Sequence, residues 1–306
     1  MFGFNKNKMK KLHLPGLEQN WQWQGQRVTY STMGEGKPLL FLHGINAAAW
    51  GIDFRHNIGP VSQQYKVFVP DLPGFGRSER RKMAYTAEKN IKSITDFARF
   101  ITESEGTAPA IIVNSLTAAH LIAAATRTPE FFGPMILICP TGLEKLDFPP
   151  TEKSQRFFKL FSGPVGTGLF WLLTGRQSTR IFLARDAYFA KESIDSEIVE
   201  SYYRSARQPN AKYAPFSFIT FNFNHSVKEE WPTLTQPALI VWGREAMITP
   251  LTTAEAFLKL RPETKLMVIE QARLAVQDEQ PEQFNKLALD WLASHSFTRE
   301  PEPIVA

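Results

Sequence analysis

Seven short apolar runs, separated by longer stretches with helical spacing, constrain the fold of this chain most strongly. The runs lie at residues 27–31, 39–42, 66–69, 111–114, 135–139, 238–242 and 265–269. Most are apolar along their whole length, as expected of strands that helices cover on both faces. The helical stretches lie at 89–103, 116–126, 251–260 and 281–293. This alternation predicts an α/β fold with a mostly parallel central sheet and helices on both of its faces.

One long segment interrupts the alternation. Residues 144–232 are rich in Phe, Leu, Tyr and Arg, and Gly163, Gly166, Gly168 and Gly175 divide the segment into short helical pieces. We interpret it as a helical cap inserted after the strand at 135–139. The predicted organisation is therefore an N-terminal extension (1–26), an α/β core (27–143 and 233–297), the cap (144–232) and a C-terminal tail (298–306).

The composition allows a large core and gives no sign of a nucleic-acid partner. The 306 residues are 43% hydrophobic, with 24 Phe, and 35 Lys and Arg against 30 Asp and Glu give a net charge of +5. The basic residues are spread along the chain, apart from small groups at residues 6–11 and 80–82. Because no nucleic-acid-binding motif accompanies the charge, we interpret it as a solvated surface.

The termini and the cysteine content predict a cytoplasmic protein. The basic N-terminus lacks the apolar region of a secretory signal, and the chain has no run of 18 apolar residues. Cys139 is the only cysteine, which excludes an internal disulfide and a thiolate metal cluster. Its apolar surroundings predict a thiol packed in the core.

Five motifs follow one another in an order that resembles a known superfamily. They are PLLFLHG (38–44), DLPGFGRS (71–78), IIVNSLTAAH (111–120), PALIVWGREAMITP (237–250) and QDEQPEQF (277–284). Together they resemble the α/β-hydrolase superfamily, in particular its branch of capped esterases, dehalogenases and C–C hydrolases. The resemblance covers residues 27–294 and implies the α/β-hydrolase fold with an inserted helical cap.

The resemblance implies that Ser115 occupies the nucleophile position. It also implies an oxyanion hole formed by the backbone N–H groups of Ile45 and Leu116. Val113 and Thr117 stand where the family motif G-x-S-x-G has glycine. Their bulk leaves two alternatives: either neighbouring groups make room for a strained turn, or the turn relaxes and Ser115 only caps the following helix.

The same resemblance places Ala246 at the position of the catalytic acid and Leu274 at that of the catalytic histidine. A serine hydroxyl is a poor nucleophile without a positioned base, so this pattern predicts a degenerate triad. Glu245, next to Ala246, is either a replacement acid or a solvated side chain. Leu274 predicts an apolar corner above Ser115.

Three histidines are candidates for a replacement base, and we favour a packing role for each. His43 lies beside the oxyanion loop, His120 is predicted to be half-buried on the helix after Ser115, and His225 lies where the cap returns to the core. None has a carboxylate partner that the sequence reveals.

These observations favour a non-hydrolytic function. No dinucleotide-binding glycine motif, P-loop or H-E-x-x-H motif is present, and the acidic residues lack metal-site spacing, so we expect neither cofactor nor metal. The leading hypothesis is a pocket beneath the cap for an apolar small molecule, or a surface for a protein partner. The alternative is a hydrolase acting on an ester or related small molecule through Ser115 with a relocated base. A third hypothesis, peripheral membrane contact through the cap, is less favoured than packing of the same side chains against the core.

Overall fold

The computed structural model of the chain describes residues 12–295. The basic group at residues 6–11, most of the N-terminus in which a signal sequence would lie and the tail at 298–306 are outside the described residues.

Eight strands form a single sheet. They are β1 (Leu17–Trp23), β2 (Gln26–Met33), β3 (Pro38–Leu42), β4 (Lys66–Pro70), β5 (Ala110–Asn114), β6 (Met135–Ile138), β7 (Ala238–Gly243) and β8 (Lys265–Ile269). Their order across the sheet is β1-β2-β4-β3-β5-β6-β7-β8. The β1–β2 and β2–β4 pairs are antiparallel, and every other pair is parallel. The seven predicted strands are all present, which confirms the mostly parallel sheet.

Strand β1 is an addition, and it lies in the segment assigned to the N-terminal extension. Its sequence is largely polar because it is an edge strand with one partner. Trp21 packs against Phe97 with ring centroids 5.2 Å apart, and Trp23 Nε1 donates to Asp96 Oδ2 at 2.8 Å. Two aromatic side chains therefore attach this edge to the helix that covers it.

The helices of the core lie close to their predicted bounds. In chain order, the α-helices of residues 12–295 are α1 (Ile58–Val61), α2 (Ala87–Glu105), α3 (Leu116–Arg127), α4 (Glu152–Ser162), α5 (Pro164–Leu173), α6 (Arg176–Phe182), α7 (Ser196–Ala206), α8 (Tyr213–Ile219), α9 (Glu230–Thr233), α10 (Ala254–Leu260), α11 (Val276–Glu279) and α12 (Pro281–Ser294). Thr86 caps α2 by accepting from the Lys89 N–H, and Gly106 ends it at φ 74°. Helices α4–α8 lie between β6 and β7, within the segment interpreted as the cap.

A buried ion pair fixes the loop after β4. Asp71 is buried and accepts from Arg77 Nε at 2.8 Å and from the Gly51 N–H at 3.0 Å. A Cβ on Gly76, whose φ is 49°, would lie 2.3 Å from Asp71 Oδ2. The DLPGFGRS motif is therefore a rigid turn that supports the loops at the carboxyl edge of the sheet.

Within residues 12–295, no helix combines the length and the apolar character that a membrane span requires. Cys139 is buried, and burial raises the pKa of its thiol to about 12, in agreement with a packed core thiol.

Candidate ligand cavity and serine site

Ser115 lies at a strained turn between β5 and α3. Its backbone has φ 56° and ψ −131°, and its N–H donates to Ile138 O at 2.9 Å, which continues the pairing of β5 with β6 into the turn. Such a conformation costs ~1–3 kcal/mol and persists only when its surroundings impose it. The side chain makes no hydrogen bond that caps α3. The relaxed turn and the helix-capping role are therefore wrong.

The two branched residues of the elbow fit beside this turn. Val113 is fully buried in β5, in register with Leu42 of β3 and Leu137 of β6. The Thr117 hydroxyl donates to His43 O at 2.7 Å. Thr117 thus ties the start of α3 to the loop after β3, and the strained geometry survives without glycine at either position.

The two backbone N–H groups of the predicted oxyanion hole have no acceptor in the described part of the protein, and Ile45 lines the cavity that Ser115 also lines. Ile45 follows the end of β3, and Leu116 is the first residue of α3, where an N–H has no intrahelical acceptor. No backbone or side-chain group in residues 12–295 accepts from either N–H. The oxyanion hole stays a prediction that this geometry permits.

The loops after β7 and β8 carry Ala246 and Leu274. Ala246 is buried, whereas Leu274 is half-buried and lines the same cavity as Ser115. Neither side chain can accept or relay a proton. Glu245 is half-buried, and its Oε2 accepts from the Ala272 N–H at 3.0 Å, so Glu245 joins the two loops.

The histidines nearest in sequence to the site are held elsewhere. His43 Nε2 accepts from the Leu72 N–H at 3.0 Å, consistent with a packing role. His120 is fully buried rather than half-buried, with Asn90 Nδ2 2.8 Å from Nδ1 and Phe223 O 2.7 Å from Nε2. Burial lowers the pKa of His120 to about 4, so its imidazole is neutral at pH 7.

His225 has a carboxylate partner that the sequence does not reveal. Its Nε2 lies 2.9 Å from Glu230 Oε1 at the start of α9. The pair lies outside the residues that line the cavity of Ser115. In the part of the chain that the structure describes, no histidine is hydrogen-bonded to Ser115 or lines that cavity.

The cavity itself has a volume of about 470 Å³ and lies between the cap and the carboxyl ends of the strands. Its apolar wall comes from both parts of the chain and consists of Leu146, Phe148, Phe182, Phe218, Ile248 and Leu274. The predicted apolar corner above Ser115 is thus one side of a larger space. Its volume suits a small organic molecule.

The wall of the cavity also has polar groups, which the sequence motifs do not predict. The Tyr202 hydroxyl of α7 donates to Asp53 Oδ1 at 2.7 Å, and Asn46 Nδ2 lies 3.5 Å from the same hydroxyl oxygen. Gln277 Nε2 donates to Asp53 O at 3.0 Å, while Gln277 Oε1 is buried without a partner among residues 12–295. Asp53 is a lone acid inside an apolar run, the one sequence signal that could have indicated a buried carboxyl.

A second carboxyl beside this group is paired with a cation. Asp278 accepts from Arg55 Nε at 2.9 Å and from Arg55 Nη2 at 3.1 Å, and the Tyr188 hydroxyl donates to Asp278 Oδ2. Asp53 has no such cation. Burial raises the pKa of Asp53 to about 7, although the hydrogen bond from Tyr202 opposes the shift.

We expect Asp53→Asn to remove a pH dependence of stability. The folded-state pKa of about 7 lies above the unfolded value of ~3.9, so the native state binds the extra proton and the stability of the wild type falls as pH rises from ~4 to ~7. The amide side chain of the variant keeps an oxygen for Tyr202 and never ionises. The variant should gain ~4 kcal/mol relative to wild type between pH 4 and pH 8, measured by urea denaturation at each pH.

The matched control is Glu279→Gln, because burial also raises the pKa of Glu279 to about 7 at a site outside the cavity wall. Each single variant should weaken the dependence of the free energy of unfolding on pH. An unchanged profile in Asp53→Asn would show that Asp53 is ionised in the folded protein.

Among residues 12–295, no group of three His, Cys, Asp or Glu side chains is arranged to hold a metal ion. The cavity wall carries the Ser115 hydroxyl and the Asp53–Tyr202 pair, together with the charged side chains of Glu144, Lys145 and Asp278.

Comparison with known proteins places this geometry in context. Residues 39–287 match the model of the alpha/beta hydrolase family. A 2-hydroxy-6-oxo-6-phenylhexa-2,4-dienoate hydrolase of Comamonas testosteroni is 27% identical over 282 residues, with 87% of this chain and 91% of the relative covered. A 2-hydroxy-6-oxononadienedioate/2-hydroxy-6-oxononatrienedioate hydrolase of the same organism is 27% identical over 280 residues, covering 88% and 92%. The solved structure of a serine hydrolase involved in carbazole degradation superimposes with a TM-score of 0.75 at 20% identity, covering 91% and 99%.

Proposed function

Since this chain belongs to the alpha/beta hydrolase family, we propose that it uses the family's capped cavity to bind a small organic molecule without hydrolysing it. The observation that carries the proposal is the cavity wall itself. Ser115 and Leu274 line it together, and no imidazole lines it in residues 12–295. Without a base the hydroxyl stays protonated, whereas the enclosed volume remains available for binding.

The chemistry of the wall defines the class of ligand. The wall combines aliphatic and aromatic surface with the Asp53–Tyr202 pair and Gln277. A ligand that has both an apolar body and hydrogen-bonding groups satisfies these two kinds of surface. The names of the two relatives refer to unsaturated hydroxy-oxo acids, one of which carries a phenyl group. We place this function in the cytoplasm, in keeping with the single buried Cys139.

A thermal-shift screen tests ligand binding. A compound at 100 times its Kd stabilises the fold by ~2.7 kcal/mol, which should raise the melting temperature by roughly 5 °C. Aromatic carboxylic acids, fatty acids and isoprenoid alcohols form the panel. Leu274→Arg should abolish each shift by placing a long, charged side chain in the apolar part of the cavity wall.

Leu17→Arg is the matched control, because Leu17 is exposed on edge strand β1. This variant should keep the full shift. If no compound shifts the wild type, or if both arginine variants lose the shift equally, the proposed cavity function fails and a protein-interaction role becomes preferable.

The second candidate is a hydrolase in which Asp53 replaces the missing base. It is favoured by one observation, namely that a carboxyl whose pKa is about 7 lines the same cavity as Ser115. A base is most effective when its pKa lies near the working pH. Loss of serine reactivity in Asp53→Asn would distinguish this candidate from pure binding.

A further inference from the structure

Two consecutive cap helices, α4 and α5, expose large apolar side chains on their outer side. Val165 is 79% exposed, Leu172 is 71% exposed and Trp171 is 47% exposed, all on α5. Phe157 and Leu160 of α4 are also exposed. We call these five side chains the outer apolar patch. Contiguous apolar surface of this kind marks an interaction site in a folded protein.

The inner sides of the same helices are packed, so the two faces have different roles. The ring of Phe216 in α8 lies 5.4 Å from that of Phe161 in α4 and 5.8 Å from that of Phe170 in α5. Lys212 Nζ donates to Gly163 O at 2.8 Å and to Thr167 Oγ1 at 2.7 Å, which fixes the turn between the helices. Packing against the core therefore accounts for the inner side chains and leaves the outer apolar patch uncovered.

The charges in the segment that carries the patch are mostly positive. Residues 152–182, which run from α4 to α6, contain five basic residues and one acidic residue, Glu152. Lys153, Arg156 and Lys159 are exposed on α4 beside the apolar side chains. Helix α5 has no charged residue between Pro164 and Leu173. Exposed apolar side chains with basic side chains beside them fit a partner that has an anionic surface and an apolar interior.

We propose that the outer apolar patch docks this protein onto an anionic phospholipid membrane, with α4 and α5 lying in the plane of the interface. The basic side chains of α4 contact lipid phosphates and carboxylates, and the apolar side chains of α5 enter the acyl boundary. Trp171 suits the interface because its ring is apolar and its indole N–H is polar. This inference does not depend on what the cavity binds.

Co-sedimentation of the full chain with vesicles tests the proposal. We expect binding to phosphatidylcholine vesicles that contain phosphatidylserine, and much weaker binding to phosphatidylcholine alone. The Trp171→Ser/Leu172→Ser variant should bind at least ~10-fold more weakly. Leu17→Ser, which removes a 64% exposed leucine from β1, is the matched control and should bind like wild type.

A charge variant separates the electrostatic contribution to vesicle binding from the apolar contribution. Lys153→Gln/Arg156→Gln/Lys159→Gln should weaken binding on the order of 100-fold, at ~5-fold for each charge near the surface. The control variant Lys37→Gln/Lys265→Gln/Lys286→Gln removes three exposed lysines outside the cap and should bind nearly as wild type. Because all the altered side chains are exposed, each variant should keep the wild-type melting temperature.

Fluorescence gives a readout that does not depend on affinity. Of the seven tryptophans, all in the described residues, Trp171 alone is among the exposed large side chains. Brominated lipids should quench the wild type, and Trp171→Phe should lose that quenching while it still binds.

Three results would overturn the proposal: no binding of the wild type to anionic vesicles, equal binding to neutral ones, or equal losses in the patch and control variants. A concentration-dependent dimer that Leu172→Ser dissociates, without vesicle binding, would assign the patch to a second copy of the chain instead.

Discussion

Replacing Ala246 by Asp and Leu274 by His together is expected to create ester hydrolysis where the wild type shows almost none. A positioned imidazole contributes ~10²–10⁴ in rate, and its orienting carboxylate makes that contribution effective. Ser115 already has the strained backbone of a nucleophile elbow, and the N–H groups of Ile45 and Leu116 have no acceptor among residues 12–295. The gain should be measured as kcat/KM for p-nitrophenyl esters.

The single variants act as controls for this rebuilt site. Leu274→His alone should gain less, because nothing orients its ring, and Ala246→Asp alone should gain nothing. Adding Ser115→Ala to the double variant should abolish the new activity. A folded double variant with no gain would show that the Ser115 hydroxyl points away from the loops after β7 and β8.

Crowding at Val113 and Thr117 is no obstacle to this experiment, although their sequence positions predict one. Glycine is favoured in the motif because the turn is tight. The sequence alone does not show which atoms surround the side chains at positions 113 and 117. The structure shows Thr117 hydrogen-bonded to His43 O and Val113 packed within the sheet. The flanking strand and helix thus impose the strained backbone of Ser115, and this backbone does not require glycine at positions 113 and 117.

The strands were predictable where burial on both faces leaves an uninterrupted apolar run. Strand β1 was not, because an edge strand alternates polar and aromatic residues and depends on contacts with α2. The sequence also does not predict that α5 is exposed, because a buried helix and a helix at an interface can both be apolar at most of their positions. In the structure, the contact of the Phe170 ring with the Phe216 ring identifies the packed face of α5.

The sequence predicts those residues of the site whose positions are fixed by the order and spacing of the motifs. Ser115 and Leu274, 159 positions apart, were predicted to meet because the motifs fix their places at the ends of β5 and β8, and both line the cavity. The Asp53–Tyr202 hydrogen bond joins residues 149 positions apart. No motif contains either residue, and the contact depends on how α7 of the cap lies over the core.

The absence of a base for Ser115 has a direct chemical test. A fluorophosphonate reacts with serine hydrolases through the activated hydroxyl, so its labelling rate measures activation without requiring the right substrate. We expect the wild type to be labelled at least ~10³-fold more slowly than an intact serine esterase, because loss of triad members costs rates of this order or more. The rebuilt Ala246→Asp/Leu274→His variant is the positive control on the same scaffold.

The labelling rate of the wild type, compared with Ser115→Ala, therefore decides the central claim. We expect both proteins to be labelled at the same slow background rate between pH 6 and pH 9. Rapid stoichiometric labelling of the wild type that disappears in Ser115→Ala would contradict it. If that labelling also disappeared in Asp53→Asn, the cavity carboxyl would be the base and the protein a hydrolase.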